Sequence, residues 1–331
     1  MSYPLNPELY SDDVKSEPIR AGFGRGLKVA GETNENVVAL CADLTESTQM
    51  HLFRDAFPKR FIEIGIAEQN LVTVASGLAR AGKIPFTSSY AAFSPGRNWE
   101  QIRTTIALNN QPVKIVGSHA GVSVGPDGAT HQMLEDIAIM RVLPNMVVVA
   151  PGDSIEAEKA TKAVAENGKP SYLRLAREKT PIFSTEEAPF EIGKAYVLKE
   201  GNDVTLLGTG TMTYQLLVAA KLLEDQGVSA EVVHVPTIKP LDSETILESV
   251  RKTGRAVSAE EAQAAAGFGG AIAELLSESL PTPLKRVGMK DRFGESGAPA
   301  ELMEHFGFSG EKLAPEIKEW IENTPKYHQE F

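Results

Sequence analysis

The chain has a single cysteine, Cys41, among its 331 residues. An internal disulfide is therefore excluded, and a lone thiol fits a reducing cytoplasm. There is no run of 18 or more apolar residues, so no membrane-spanning helix is expected. The opening "MSYPLNPELYSDDVKSEPIR" lacks the basic-then-apolar order of a secretory signal, and residues 1–14 read as a native polar arm before the first helix. Positive charge is short: 33 Lys and Arg face 44 Asp and Glu, a formal net charge of −11. A nucleic-acid groove needs clustered Lys and Arg, so that class of partner is not expected, and neither is a membrane. Paired Cys and His at ligand spacing are missing, and the acidic residues form no recognisable metal motif. The expectation is an acidic, cytoplasmic protein with no metal site of its own.

What is present is ordered. Apolar residues make up 42% and charged residues 23%, as in ordinary globular proteins, and the length suits about two domains. Short apolar runs at 36–40, 60–66, 85–90, 113–119, 146–151 and 171–175 read as strands. Helix-length segments at 67–81, 98–109, 132–141 and 153–166 lie between them. In the last, Asp153 or Ser154 can cap the start, and Ile155, Ala160 and Val164 can share a buried stripe. Strands apolar on both faces, alternating with helices, predict a mainly parallel sheet covered by helices. The stretch 178–195, with two prolines and no helical stripe, reads as a linker. Beyond it the alternation restarts, with strands at 203–210, 230–236, 255–261 and 284–289. Helices are expected at 212–226, 242–252, 269–279 and near 312–322. The fold class is α/β, in two domains of residues 15–188 and 189–331, each a mainly parallel sheet flanked by helices.

In such sheets a ligand sits beyond the carboxyl ends of the strands. Asp43, Thr45 and Ser47 fall at one such end, Glu68 at the next, then Ser88, Ser89, Tyr90 and Phe93, then His119 with Asp127 and His131, and finally Arg177. Each has a plain alternative. A carboxylate in the first helical turn needs no role beyond the helix dipole, worth ~0.3–1 kcal/mol. Loop histidines can bond backbone groups, aromatics three apart can belong to the core, and Pro126-Asp127-Gly128 is ordinary turn chemistry. Yet Gly121, Gly125 and Gly128 are more glycines than one turn requires, and suit a backbone closely approaching a ligand. "GTGTM" (208–212) lacks the third glycine that a dinucleotide fingerprint needs, and "AAAGFGGA" (264–271) reads as close helix packing.

Taken together, "CADLTES", "GIAEQN", "SSYAAF", "GSHAGVSVGPDGATHQMLED", "PNMVVVAPGD" and "LRLAREKTP" stand in the order and spacing of the second half of a transketolase. The "DRFGESGAPAELMEHFG" segment (291–307) similarly resembles that family's C-terminal domain, so the resemblance spans about residues 15–325. It implies a pyrimidine-binding domain and a C-terminal domain in a thiamine-diphosphate enzyme that transfers a two-carbon ketol unit from a ketose phosphate to an aldose phosphate. By that resemblance Glu68 bonds N1′ of the aminopyrimidine. A carboxyl sharing a proton there favours the imino tautomer, whose 4′ nitrogen deprotonates thiazolium C2. Tyr90 and Phe93 resemble the aromatic pair packed on the pyrimidine, with Phe86 as a competitor. Asp43, Leu44 and Ile66 resemble further cofactor-side residues. His119 and His131 resemble the catalytic histidines that bond substrate hydroxyls and developing oxyanions, and Asp127 a reader of hydroxyl configuration. Ser47 and Arg177 resemble phosphate contacts.

The family's diphosphate and Mg2+ (or Ca2+) are held by a Gly-Asp-Gly element with an asparagine nearly thirty residues later, and no G-D-G occurs here. The resemblance therefore implies one subunit of a split enzyme, with an N-terminal diphosphate-binding subunit holding the metal and an α2β2 assembly. Deoxyxylulose-5-phosphate synthase shares the "G-x-D-G-x-T-H-Q" element but tends to carry Asp-Arg where Ser118-His119 stand. The β subunits of 2-oxoacid dehydrogenases lack the "DGATHQ" loop. A non-catalytic regulatory partner would be suggested by loss of the acid, the histidines or the arginine, and all are present.

Overall fold

The computed structural model describes residues 3–327; Met1 and Ser2 of the expected arm, and residues 328–331 of the expected second domain, lie outside the described residues. The arm leads into β1 (Ser16–Pro18) and α1 (Ile19–Thr33), followed by β2 (Val37–Cys41), α2 (His51–Ala56) and β3 (Phe61–Glu63). Next come α3 (Glu68–Arg80), β4 (Ile84–Tyr90) and α4 (Trp99–Gln101), which runs into a π-helical turn over Ile102–Ala107. β5 (Lys114–Ser118), α5 (Asp136–Arg141), β6 (Val147–Val149), α6 (Ser154–Glu166), β7 (Ser171–Arg174) and β8 (Lys179–Pro181) complete this half. The second half comprises β9 (Tyr196–Lys199), β10 (Val204–Gly208), α7 (Met212–Glu224), β11 (Ala230–His234) and β12 (Thr237–Lys239). It ends with α8 (Ser243–Thr253), β13 (Ala256–Gln263), α9 (Phe268–Ser279), β14 (Leu284–Met289), α10 (Pro299–His305) and α11 (Gly310–Glu322). Among the described residues no helix is long and apolar enough to cross a membrane.

Two large sheets carry the architecture. The first has seven strands in the order β12-β6-β7-β5-β4-β2-β3, parallel except for β12. The second has five, β14-β13-β10-β11-β9, parallel except for β9. Strands such as β2, β5 and β10 are buried along their whole length, which explains why they read as continuous apolar runs. Three phenylalanines on separate elements, Phe23, Phe53 and Phe86, are fully buried in the first half. Each contributes ~1.5–3 kcal/mol of hydrophobic stabilisation.

The helix starts follow capping chemistry. Asp153 accepts from the Glu156 N–H at 2.9 Å to open α6, and Asp242 from Thr245 N–H at 3.2 Å to open α8. On α6 the buried stripe runs through Ala157, Ala160 and Val164; Ile155 is only half-buried. That small face meets Gly22 and Gly26 of α1. A Cβ on Gly22 would collide with the Ser154 carbonyl, and one on Gly26 would stand 2.7 Å from the Glu158 carbonyl. Glycine lowers helix propensity, but here it lets two helices approach closely.

The arm and the connecting stretch are fastened to each other. β1 pairs antiparallel with β8, Leu5 bridges Ser184, and Asn6 N–H donates to the Phe183 carbonyl at 2.8 Å. Asp153 accepts from the N–H groups of Phe183 and Ser184 as well. The two halves also interlock. β12 leaves the second half to pair with β6 at the edge of the first sheet, and one apolar core runs from Val38 and Leu71 to Val233 and Phe268.

Candidate active site

β2, β3, β4, β5 and β7 lie side by side and parallel, so their carboxyl ends open on one side. Glu68 is the first residue of α3 and only 3% exposed. Arg97 Nη1 donates to its Oε2 at 2.8 Å, while Asn98 Nδ2 donates to its backbone carbonyl at 2.8 Å. Arg97 also lies over the Phe93 ring, 4.8 Å from its centroid. Ile66, two residues before Glu68, is 75% exposed, an unusual amount for so apolar a side chain.

Register sets the next contacts. Tyr90 pairs with Ser118 across β4 and β5, so His119, one residue on, comes under the Tyr90 ring. The two rings stack with centroids 3.8 Å apart, and Phe93 stacks on Tyr90 at 6.0 Å. His131 meets both aromatics edge-on, at 6.3 Å from Tyr90 and 5.5 Å from Phe93. Four expected site residues thus form one cluster. His119 has φ +59 and Asp43 has φ +56, both in the left-handed region that non-glycine residues rarely adopt. Nδ1 of His119 pairs with Ser118 Oγ at 2.8 Å, and Nδ1 of His131 with Thr130 Oγ1 at 2.8 Å, which leaves Nε2 of each ring for other contacts. Burial lowers the His119 pKa to about 3, helped by Arg20, Arg177 and His131 nearby. At neutral pH its imidazole is therefore uncharged.

Near His119, Arg177 Nη1 donates to the Val124 carbonyl at 2.5 Å and stands 4.0 Å from Asp127 Oδ2. Arg20 joins it. Its Nη1 donates to the Ser47 carbonyl at 2.5 Å and its Nε to the Arg177 carbonyl at 3.2 Å. Burial and the neighbouring Arg177 pull the Arg20 guanidinium down from its ordinary value. Two neighbouring guanidinium groups can receive an anion. Sequence reading missed Arg20, because α1 carries no motif around it. It also missed Glu63, whose carboxylate gathers Asp43 N–H at 2.7 Å, Gly65 N–H at 2.8 Å and Thr45 Oγ1 at 3.1 Å, tying the loop after β2 to the one before α3.

Two expected cofactor-side residues stand apart. Phe86 is fully buried in mid-strand, 6.5 Å from the Phe23 ring, so it belongs to the core and not to the mouth. Its side chain falls on the face of β4 covered by α1. Leu44 is half-buried and packs against that same core, while its carbonyl accepts from Thr48 to close a turn.

These residues fit the pyrimidine half of a thiamine diphosphate site: a buried carboxyl beside two partly exposed aromatic faces and an open aliphatic side chain. Among the described residues no group of three or more His, Cys, Asp or Glu is placed to hold a metal ion.

Comparison with known proteins follows the same division. Residues 16–182 match the family described as "Transketolase, pyrimidine binding domain", and residues 193–313 match "Transketolase, C-terminal domain". A Methanocaldococcus jannaschii protein carrying the name of a transketolase C-terminal section is 45% identical over 91% of this chain and 95% of its own. A 6-deoxy-6-sulfo-D-fructose transketolase subunit of a Clostridium species is 42% identical, over 85% of this chain and 88% of its own. A solved structure titled as a split gene transketolase in an inactive β4 tetramer superposes with a TM-score of 0.87 at 43% identity, over 93% of this chain and 99% of that one.

Proposed function

The chain belongs to the transketolase family, and from that premise we propose that it is the C-terminal subunit of a split transketolase, inactive until a diphosphate-binding subunit completes its site. The observation that carries this reading is a buried Glu68 carboxyl joined through Arg97 to Phe93, one member of the Tyr90, Phe93, His119 and His131 cluster. Bound thiamine diphosphate supplies the nucleophilic carbon and the electron sink that a two-carbon ketol transfer requires.

Glu68 holds a proton at N1′ of the aminopyrimidine through Oε1, while Arg97 keeps Oε2 occupied and fixes the carboxyl's rotamer. Tyr90, Phe93 and Ile66 would hold the aminopyrimidine by apolar contact and would keep water from the carboxyl. Asp43, held by Glu63, lines the same side. His119, uncharged at neutral pH, offers Nε2 to a substrate hydroxyl or oxyanion, and His131 faces it across the Tyr90 ring. Arg177, Arg20 and Ser47 bind the sugar phosphate's anionic end, and Asp127, paired with Arg177, reads the adjacent hydroxyl. Mg2+ falls to the partner subunit, and the subunits assemble as α2β2. The chain acts in the cytoplasm, in pentose phosphate interconversion.

Calorimetric titration of thiamine diphosphate with Mg2+ tests this, first into the chain alone and then into its mixture with an N-terminal transketolase subunit. Tight binding and ketol transfer are expected only in the mixture. Turnover by the lone chain would overturn the split-site reading, and no binding in either sample would overturn the cofactor assignment.

A further inference from the structure

Glu261 reaches the site from the other domain. It lies on β13, only 1% exposed, yet neither of its carboxylate contacts is to its own strand's neighbours. Oε1 accepts from the Ser123 backbone N–H at 2.5 Å, and Oε2 accepts from the Thr211 hydroxyl at 2.8 Å. Its main-chain carbonyl accepts from Arg174 Nη2 at 2.8 Å, which puts the compensating positive charge beside it. The carboxylate therefore sits in the turn between His119 and Asp127. Gly121 adopts φ +92 there, and a Cβ on it would collide with the Glu261 side chain.

Neighbours of Glu261 close on the rest of that loop. Gln263 N–H donates to the Leu134 carbonyl at 2.8 Å, and Gln132 Nε2 donates to the Glu295 carbonyl at 3.0 Å. A Cβ on Gly125 would stand 3.0 Å from Pro299, and one on Gly128 would collide with Ser296. The three glycines of the loop are thus accounted for by the second domain pressing on it. The Glu68 carboxylate, by contrast, takes its hydrogen bond from Arg97 of its own domain, and Asn98 of that domain bonds its backbone carbonyl.

We propose that Glu261 is a positioning residue: from the C-terminal domain it sets the loop carrying His119, Asp127 and His131, so that sugar affinity depends on how the two domains are seated while cofactor affinity does not. The identity of the sugar rests on the reading above; the clamp does not. Glu261→Ala frees the Ser123 amide and empties the turn. Glu261→Gln keeps an acceptor for that amide and a partner for Thr211.

Two measurements on the full chain test it. In the reconstituted complex, Glu261→Ala is expected to raise the KM for a ketose phosphate about 10-fold while kcat changes less than about 3-fold, with Glu261→Gln restoring most of the loss. Thiamine diphosphate affinity should stay within about twofold of wild type. In the chain alone, hydrogen exchange of amides in 121–134 should quicken about 10-fold with no change in α3. If Glu261→Ala destabilises the chain too far, Thr211→Val removes one leg of the clamp and should give the same ordering with a smaller rise. Unchanged loop exchange and unchanged KM in a folded variant would overturn the proposal. So would an equal loss of cofactor affinity, which marks a general loosening. A wild-type complex that transfers no ketol unit would sink the transferase reading, and the exchange experiment would still decide the clamp.

Discussion

The two walls of the site are built by different means. Glu68, Tyr90 and Phe93 follow β3 and β4 of one sheet and are held by strand register and by Arg97 and Asn98, all within the first domain. His119 is seated by the same register, but the loop that runs on from it through Asp127 to His131 is held between two domains, with Glu261, Gln263 and Glu295 on its far side. The first wall is a local product of strand order. The second exists only when distant parts of the chain have come together. The difference teaches that one active site can have two separable sources of rigidity.

Substitutions can pull the walls apart. The largest effect is expected beneath the second. Asp136 and Arg174 form a buried pair at 2.8 Å, with Tyr172 OH on the same carboxylate oxygen. Asp136→Ala leaves a buried guanidinium unpaired and should cost ~3–5 kcal/mol in urea unfolding. If thiamine diphosphate affinity falls with it, the walls are not independent. Next, Glu68→Gln in the assembled enzyme should lower kcat ~10²-fold or more with the sugar KM nearly unchanged; a near wild-type rate would remove Glu68 from its assigned role. Phe93→Ala should weaken cofactor binding about 10-fold by calorimetry, the scale of a lost aromatic contact, and leave the sugar KM alone. Near neutral pH the smallest effect concerns protons. His119 is pulled down to about 3 from an unfolded value near 6.5, so the unfolded chain binds the extra proton between those limits. Its contribution to stability is complete above about pH 6.5 and is lost as pH falls through that window, by at most ~1.4 kcal/mol per pH unit. Its imidazole resonances should stay flat from pH 5 to 8; a midpoint near 6.5 would mean an open loop.

The same contrast governs what could be read from the sequence. Most strands were legible because they are buried on both faces, and the short motifs at their ends named Glu68, Tyr90, Phe93, His119 and His131 as neighbours. α1 was legible only as a first helix after the arm, without bounds, because Gly22, Gly24 and Gly26 depress its helical signal, and the use of Gly22 and Gly26 in packing against α6 is visible only in three dimensions. Arg20, Glu63, Arg97 and Glu261 lie outside the motifs; each acts through a partner 18 to 157 positions away. Phe86 was drawn toward the site by its closeness in sequence to Tyr90, but the alternation along β4 and the cover of α1 send it into the core. The stretch 178–195 reads as a linker by composition, whereas β8 within it is paired with β1 and Phe183 is buried.

The small strand Thr237–Lys239 has a consequence for inheritance. It is encoded well inside the second family-matched region, yet it finishes the edge of the first sheet, and Lys239 Nζ donates to the Arg141 and Leu143 carbonyls beneath that sheet. Two modules that a recombination event could exchange would share no such stitch. A chimera joined near residue 190 would close the edge of its first sheet with a strand drawn from another sequence.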